Sequence, residues 1–125
     1  MAVYDQMMIV NRLFINNKSE FRIKLILEDP NKLRFADGRK KNMDTLAKFG
    51  ITPAGCIAYI NELTYKNYLS GPSDDRDTHE KKCVWEFGTK IQNQDIYIKI
   101  KHIEEDNILM LSFHEAEKPF VFRYS

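Results

Sequence analysis

The sequence predicts an α+β domain, a mostly antiparallel sheet packed against two or three helices. One observation is a set of three strand-like runs between Cys83 and His114, separated by the turn-forming pairs Gln92-Asn93 and Asp106-Asn107. Another is helical spacing in the segments that precede them. The chain has 125 residues, a length that buries one core comfortably and not two, so a single domain spanning 1–125 is expected.

Val3, Met7, Val10 and Phe14, with Tyr4, Met8 and Ile15 widening the stripe, predict an amphipathic helix over 3–15. From Phe21 to Leu27, Phe21, Ile23, Leu25 and Leu27 alternate with polar positions including Arg22 and Lys24, the pattern of a half-buried strand that Asp29-Pro30 ends. Lys32 to Ala36 reads as a short second strand before an Asp37-Gly38 turn. Arg39, Lys40 and Lys41 are the densest basic cluster and precede a helical run, Met43 to Phe49, closed by Gly50 as a left-handed cap. That cluster suits either a phosphate or a solvated surface balancing acidic neighbours.

Thr52-Pro53 marks a helix start, with Cys56, Ile57 and Ile60 on its buried side and an end near Leu63. Thr64 to Leu69 would add a turn before Ser70-Gly71-Pro72 stops it. Residues 72–82 contain no apolar side chain and predict a mobile loop. In the strand run beyond it, Ile96, Ile98 and Ile100 point one way and Tyr97, Lys99 and Lys101 the other. Parity places Glu86, Ser112 and His114 beside Tyr97 and Lys99. Pro119 to Tyr124 reads as a final edge strand or extended tail.

Composition narrows function. Apolar residues make up 43% and charged residues 30%, with a formal charge of +1, so neither a disordered tail nor a global attraction to nucleic acid is indicated. No run reaches the ~18–20 apolar residues of a membrane span. Met1 to Asn11 lacks a signal-peptide pattern, and a cytoplasmic location is expected. Cys56 and Cys83 have no metal spacing and are expected as buried reduced thiols. His79, His102 and His114 show no ligand spacing, no GxSxG elbow occurs, and the five glycines form no phosphate-cradling loop. What remains for an enzyme is acid/base chemistry with no cofactor.

Tyr97, Lys99, Glu86 and His114 suit such chemistry on RNA, whose 2′-hydroxyl is an internal nucleophile. Histidine or glutamate can act as base, histidine or a tuned tyrosine as acid, and lysine can stabilise charge on the phosphate. An exposed sheet face bearing tyrosine and lysine is equally the ordinary surface of a half-solvated sheet, or a non-catalytic protein- or RNA-binding module.

The order Leu63-Thr64, Tyr68, Gly71-Pro72, then Val84-Trp85-Glu86-Phe87-Gly88, Tyr97-Ile98-Lys99-Ile100 and Leu111-Ser112-Phe113-His114 resembles the MqsR-type toxins of the RelE-like ribonuclease superfamily. The likeness covers residues 43–124 and is strongest from Trp85 to His114. It implies a RelE-like fold and a metal-independent mRNA interferase that cleaves single-stranded message and is held inactive by a cognate antitoxin protein. Tyr97 and Lys99 match the family's strand tyrosine and lysine. Glu86 stands where the best-known members carry glutamine, and His114 where they carry a lysine. Histidine exchanges protons near neutral pH and lysine does not, so the roles divide differently here. The family's lysine after the second helix falls near Ser70, with Lys66 a turn earlier. Lys101, Arg123 and Lys66 are the expected RNA-binding cations. Oligomeric state is left open, a homo-oligomer included.

Overall fold

The computed structural model describes residues 33–36, 39–103 and 107–122. The helix expected over 3–15, the strand over 21–27, the Asp37-Gly38 turn and Arg123 lie outside the described residues. Strands β1 (Leu33–Phe35), β2 (Tyr68–Ser73), β3 (Val84–Ile91), β4 (Gln94–His102) and β5 (Ile108–Glu115) form one sheet in the order β1-β5-β4-β3-β2. β2 to β5 run antiparallel to their neighbours and β1 is parallel to β5. Two helices, α1 (Lys40–Phe49) and α2 (Gly55–Asn61), accompany it, so the domain is α+β.

The central meander follows from alternation and turn chemistry. Ile91 pairs with Gln94, and Gln92 and Asn93 between them have φ of 50° and 66°, the doubly left-handed geometry of a two-residue hairpin. Ile96, Ile98 and Ile100 point into the core with Trp85, Phe87 and Phe113 from the adjoining strands. Cys56, Ile57 and Ile60 of α2 join this core. Both cysteines are free and buried, and burial pushes the Cys56 thiol up to about 12.

α1 begins at Lys40, three residues before the expected start at Met43, and buries Asn42, Thr45, Leu46 and Phe49 at helical spacing. Gly50, with φ 67°, closes it as expected. Asn42 has a further task. β1 pairs with β5 only as far as Met110 and Ala36 extends that ladder by one bond, so beyond it the Asn42 amide bonds the Leu111 carbonyl and the Phe113 N–H at 3.1 and 2.9 Å. A side chain there completes the ladder of a buried strand.

Two expectations between α2 and β2 are corrected. α2 starts at Gly55, although Thr52 Oγ1 does accept its N–H at 3.0 Å, and ends at Asn61. The turn expected over 64–69 is present as a short 3₁₀ segment, Tyr65–Asn67, but Ser70-Gly71-Pro72 lies within β2 where a stop was expected. β2 is an edge strand with shifted register on both sides of Ser70, and edges tolerate glycine and proline. Gly71 is required: its φ is 120°, and a Cβ would stand 2.6 Å from the Val84 carbonyl oxygen and 2.8 Å from Trp85 Cα.

The expected mobile loop is instead anchored. Asp75 Oδ1 accepts the N–H groups of Asp77 and Thr78, and Asp75 Oδ2 lies 2.7 Å from Lys101 Nζ. Of the two alternatives for the segment from Pro119, a final edge strand or a tail, residues 119–122 have no strand conformation, which leaves the tail.

Candidate functional site

The face of the sheet opposite the main core is organised in cross-strand rows. Gly88, Tyr97 and His114 form one row, and Glu86, Lys99 and Ser112, with Ser70 beyond Glu86, form the next. Val84, Lys101 and Leu109 form a third, which loop 74–80 covers through Asp75. Tyr97, Glu86 and His114 therefore meet as parity predicted.

Ser70, Glu86 and Tyr97 form a bonded network, with the His114 ring beside it. Ser70 and Tyr97 each donate a hydroxyl hydrogen bond to Glu86, one to each carboxylate oxygen. Burial raises the Glu86 carboxyl, but these two bonds and the charges of Lys99 and Arg76 outweigh it and hold the group below the usual carboxylate range. Tyr97 goes the other way. Burial, then the bond to Glu86 and its charge, push the phenol above its ordinary value, so it stays protonated at neutral pH. A tuned tyrosine as acid was one sequence expectation, and the tuning here keeps the proton on the phenol at neutral pH.

The His114 ring lies 5.6 Å from the Tyr97 ring, centroid to centroid. Its Nδ1 is 2.8 Å from the Glu115 carbonyl oxygen. A carbonyl only accepts, so this contact places a proton on Nδ1 and leaves Nε2 as the nitrogen for proton exchange in the neutral ring.

Glu86, Tyr97 and His114 line an open cleft of about 700 Å³. Its remaining wall is Leu69 and the segment Ala116 to Val121. This segment crosses the sheet because Gly88 has no side chain: a Cβ there would lie 2.7 Å from two Phe120 ring carbons. Ala116 N–H bonds the Asp95 carbonyl at 2.9 Å, and Glu117 pairs with Lys41 of α1.

Other expected site residues are placed differently. Lys101 is only 4% exposed, because its ammonium sits between Asp75 at 2.7 Å and Glu80 at 3.0 Å, and it cannot act as a phosphate contact. Ser112 is buried, Lys99 is half-buried beside Glu86, and Lys66 is exposed on the 3₁₀ turn and does not line the cleft. In the basic cluster, Lys40 pairs with Asp44 at 2.8 Å and Lys41 with Glu117, the charge-balancing alternative. Sequence reasoning missed Arg76, Lys118 and Phe120. Arg76 lies in the loop without apolar residues. The alternation of Phe120 and Phe122 was visible, but the role of glycine at 88 as its seat was not.

Among the described residues no His, Cys, Asp or Glu cluster is arranged to hold a metal ion, and no helix is long and apolar enough to cross a membrane. The chain matches no known family model, no curated protein and no solved structure.

Proposed function

We propose that this chain is a metal-independent endoribonuclease that cleaves single-stranded RNA, a toxin of the mRNA interferase type that acts on message in the cytoplasm and is restrained by a cognate antitoxin protein. The observation that carries the reading is the meeting of His114, Tyr97 and Glu86 in one open cleft, with the charges of Lys99 and Arg76 acting on it. The α+β arrangement is consistent with a RelE-like fold, and the sequence likeness from Trp85 to His114 falls on the strands that build the cleft.

Roles follow by elimination. Glu86 is held deprotonated by two donors and is a poor base. Tyr97 keeps its proton and is no base either. His114, with Nδ1 committed to a carbonyl, takes the 2′-hydroxyl proton through Nε2. The 2′-oxygen bonds to phosphorus as the phosphorus–5′-oxygen bond breaks. An alkoxide is far more basic than a phenolate, so Tyr97 gives its proton to the leaving 5′-oxygen. Lys99 and Arg76 stabilise charge on the non-bridging oxygens. The products are a 2′,3′-cyclic phosphate and a 5′-hydroxyl.

The test is incubation of purified protein with single-stranded RNA in the presence of EDTA. Cleavage that ends in cyclic phosphate, with His114→Ala and Tyr97→Phe each lowering the rate by about 10²–10⁴ in folded protein, supports the reading. Full activity in both variants overturns the site assignment. Binding without cleavage by the parent chain moves the protein to the non-catalytic RNA-binding reading, which the saturation of Glu86 by Ser70 and Tyr97 would then explain.

A further inference from the structure

The cleft has two unlike halves. Its floor carries Glu86, Tyr97 and His114, whereas its wall presents Leu69, Pro119, Phe120 and Val121. A phosphate needs only the first half. A volume of about 700 Å³ leaves room beyond it for something flat and apolar. We propose that the wall built on Phe120 is a nucleobase subsite, which holds one unstacked base of a single-stranded RNA while its phosphate lies against the polar floor. This rests on the reading of the cleft as an RNA site and adds to it the group that places the strand.

Three observations carry the inference. The Phe120 ring stands over Gly88, in the row of Tyr97 and His114, so the wall is fixed one residue from the reacting groups. The ring is braced by Phe122 edge-on at 5.4 Å, so it does not need to be ordered when a base arrives. Val121 is 86% exposed and Phe122 38%, and both belong to a segment that neither β-strand pairing nor the core explains. Aromatic rings beside cations are the usual means of holding single-stranded bases, and Lys118 on the same wall supplies a cation here. The same geometry restricts the substrate: a base locked in a duplex cannot reach a wall set beside the sheet.

The experiment compares a fluorescent single-stranded RNA made uncleavable by 2′-O-methylation with the same oligonucleotide lacking its bases, by anisotropy. The full-length protein is expected to prefer the base-containing strand by on the order of tenfold. Phe120→Leu, which keeps an apolar side chain over Gly88, is expected to lose that preference and leave binding to the abasic strand unchanged; Phe120→Trp is expected to keep it. Gly88→Ala is the second probe, since its Cβ displaces the ring while the sequence of the tail stays intact. Full preference in Phe120→Leu and Gly88→Ala overturns the subsite, as does tight binding of both strands with no preference in the parent chain. A parent chain that cleaves RNA but shows no base preference overturns the subsite alone. Failure to bind either strand and to cleave overturns the RNA reading with it.

Discussion

Replacing Lys101 with methionine removes the cation that the described residues place in the buried cluster under loop 74–80. Lys101 Nζ lies 2.7 Å from Asp75, 3.0 Å from Glu80 and 3.3 Å from Thr78 Oγ1, with the side chains of Lys101 and Asp75 5% and 10% exposed. At an effective dielectric near 20, a contact of that length is worth about 6 kcal/mol of attraction, most of which desolvation cancels. Removing one partner is different: it leaves Asp75 buried, charged and beside Glu80. The expected loss is about 3 kcal/mol, a fall of about 10 °C in melting temperature for a chain of this size. Asp75→Asn should cost less, because an amide oxygen still accepts from Asp77 and Thr78, and Lys101 keeps Glu80.

The pH dependence has a fixed sign. Its hydrogen bond from Lys101 holds the Asp75 carboxyl far below its unfolded value, despite burial. Its contribution is therefore fully present above about pH 5 and is lost as pH falls below about 4 towards the folded value. Lys101 is raised, because its bonds to Asp75 and Glu80 outweigh desolvation, so its share is lost only as pH climbs past about 10.5. Urea unfolding from pH 3 to 7, read on the single tryptophan, Trp85, measures the acid limb. Lys101→Met should be less stable at pH 7 and show a shallower acid slope. Equal stability at pH 7, or an unchanged slope, would refute the account of the cluster.

Asn42→Leu fills the same space but strands the Phe113 N–H and the Leu111 carbonyl in the interior, and should cost about 3 kcal/mol in urea unfolding. A loss under 1 kcal/mol would mean water reaches that edge. Tyr97 should not ionise with the other tyrosines: the difference in absorbance at 295 nm between parent and Tyr97→Phe is expected to be absent up to about pH 10 and to emerge only above it. Because the folded value is raised, the same group loses its stabilising contribution as pH rises through that range.

What the sequence disclosed divides along physical lines. β3, β4 and β5 were legible because period-two alternation and two-residue turns are local signals, and the same parity placed Tyr97, Glu86 and His114 on one face. β2 was not, because its glycine and proline are tolerated by an edge position and by contact with Trp85, neither of which is local. Lys101 obeyed the alternation and still proved buried. Parity says which face a side chain takes, but whether that face meets water depends on Asp75, 26 positions away in the chain. The loop misled for the same reason. Without apolar side chains it has no hydrophobic reason to order, and one buried carboxylate supplies an electrostatic one.

That anchor bears on the proposed chemistry. A carboxylate at position 86 repels phosphate, so a cleft floored by Glu86 accepts RNA only if its charge is answered. Ser70 and Tyr97 supply hydrogen bonds but no charge. Lys99 supplies one positive charge from the neighbouring strand, and the other acting on Glu86 is Arg76, which the sequence gives no reason to place near the sheet. Arg76 directly follows Asp75, so the contact that buries Lys101 also anchors the loop next to the arginine. Lys101 is thus lost as a phosphate contact and acts on the cleft through the loop. Of the two strand lysines, Lys101 is structural and Lys99 answers Glu86, and the second charge on the site comes from the segment with the weakest local signal.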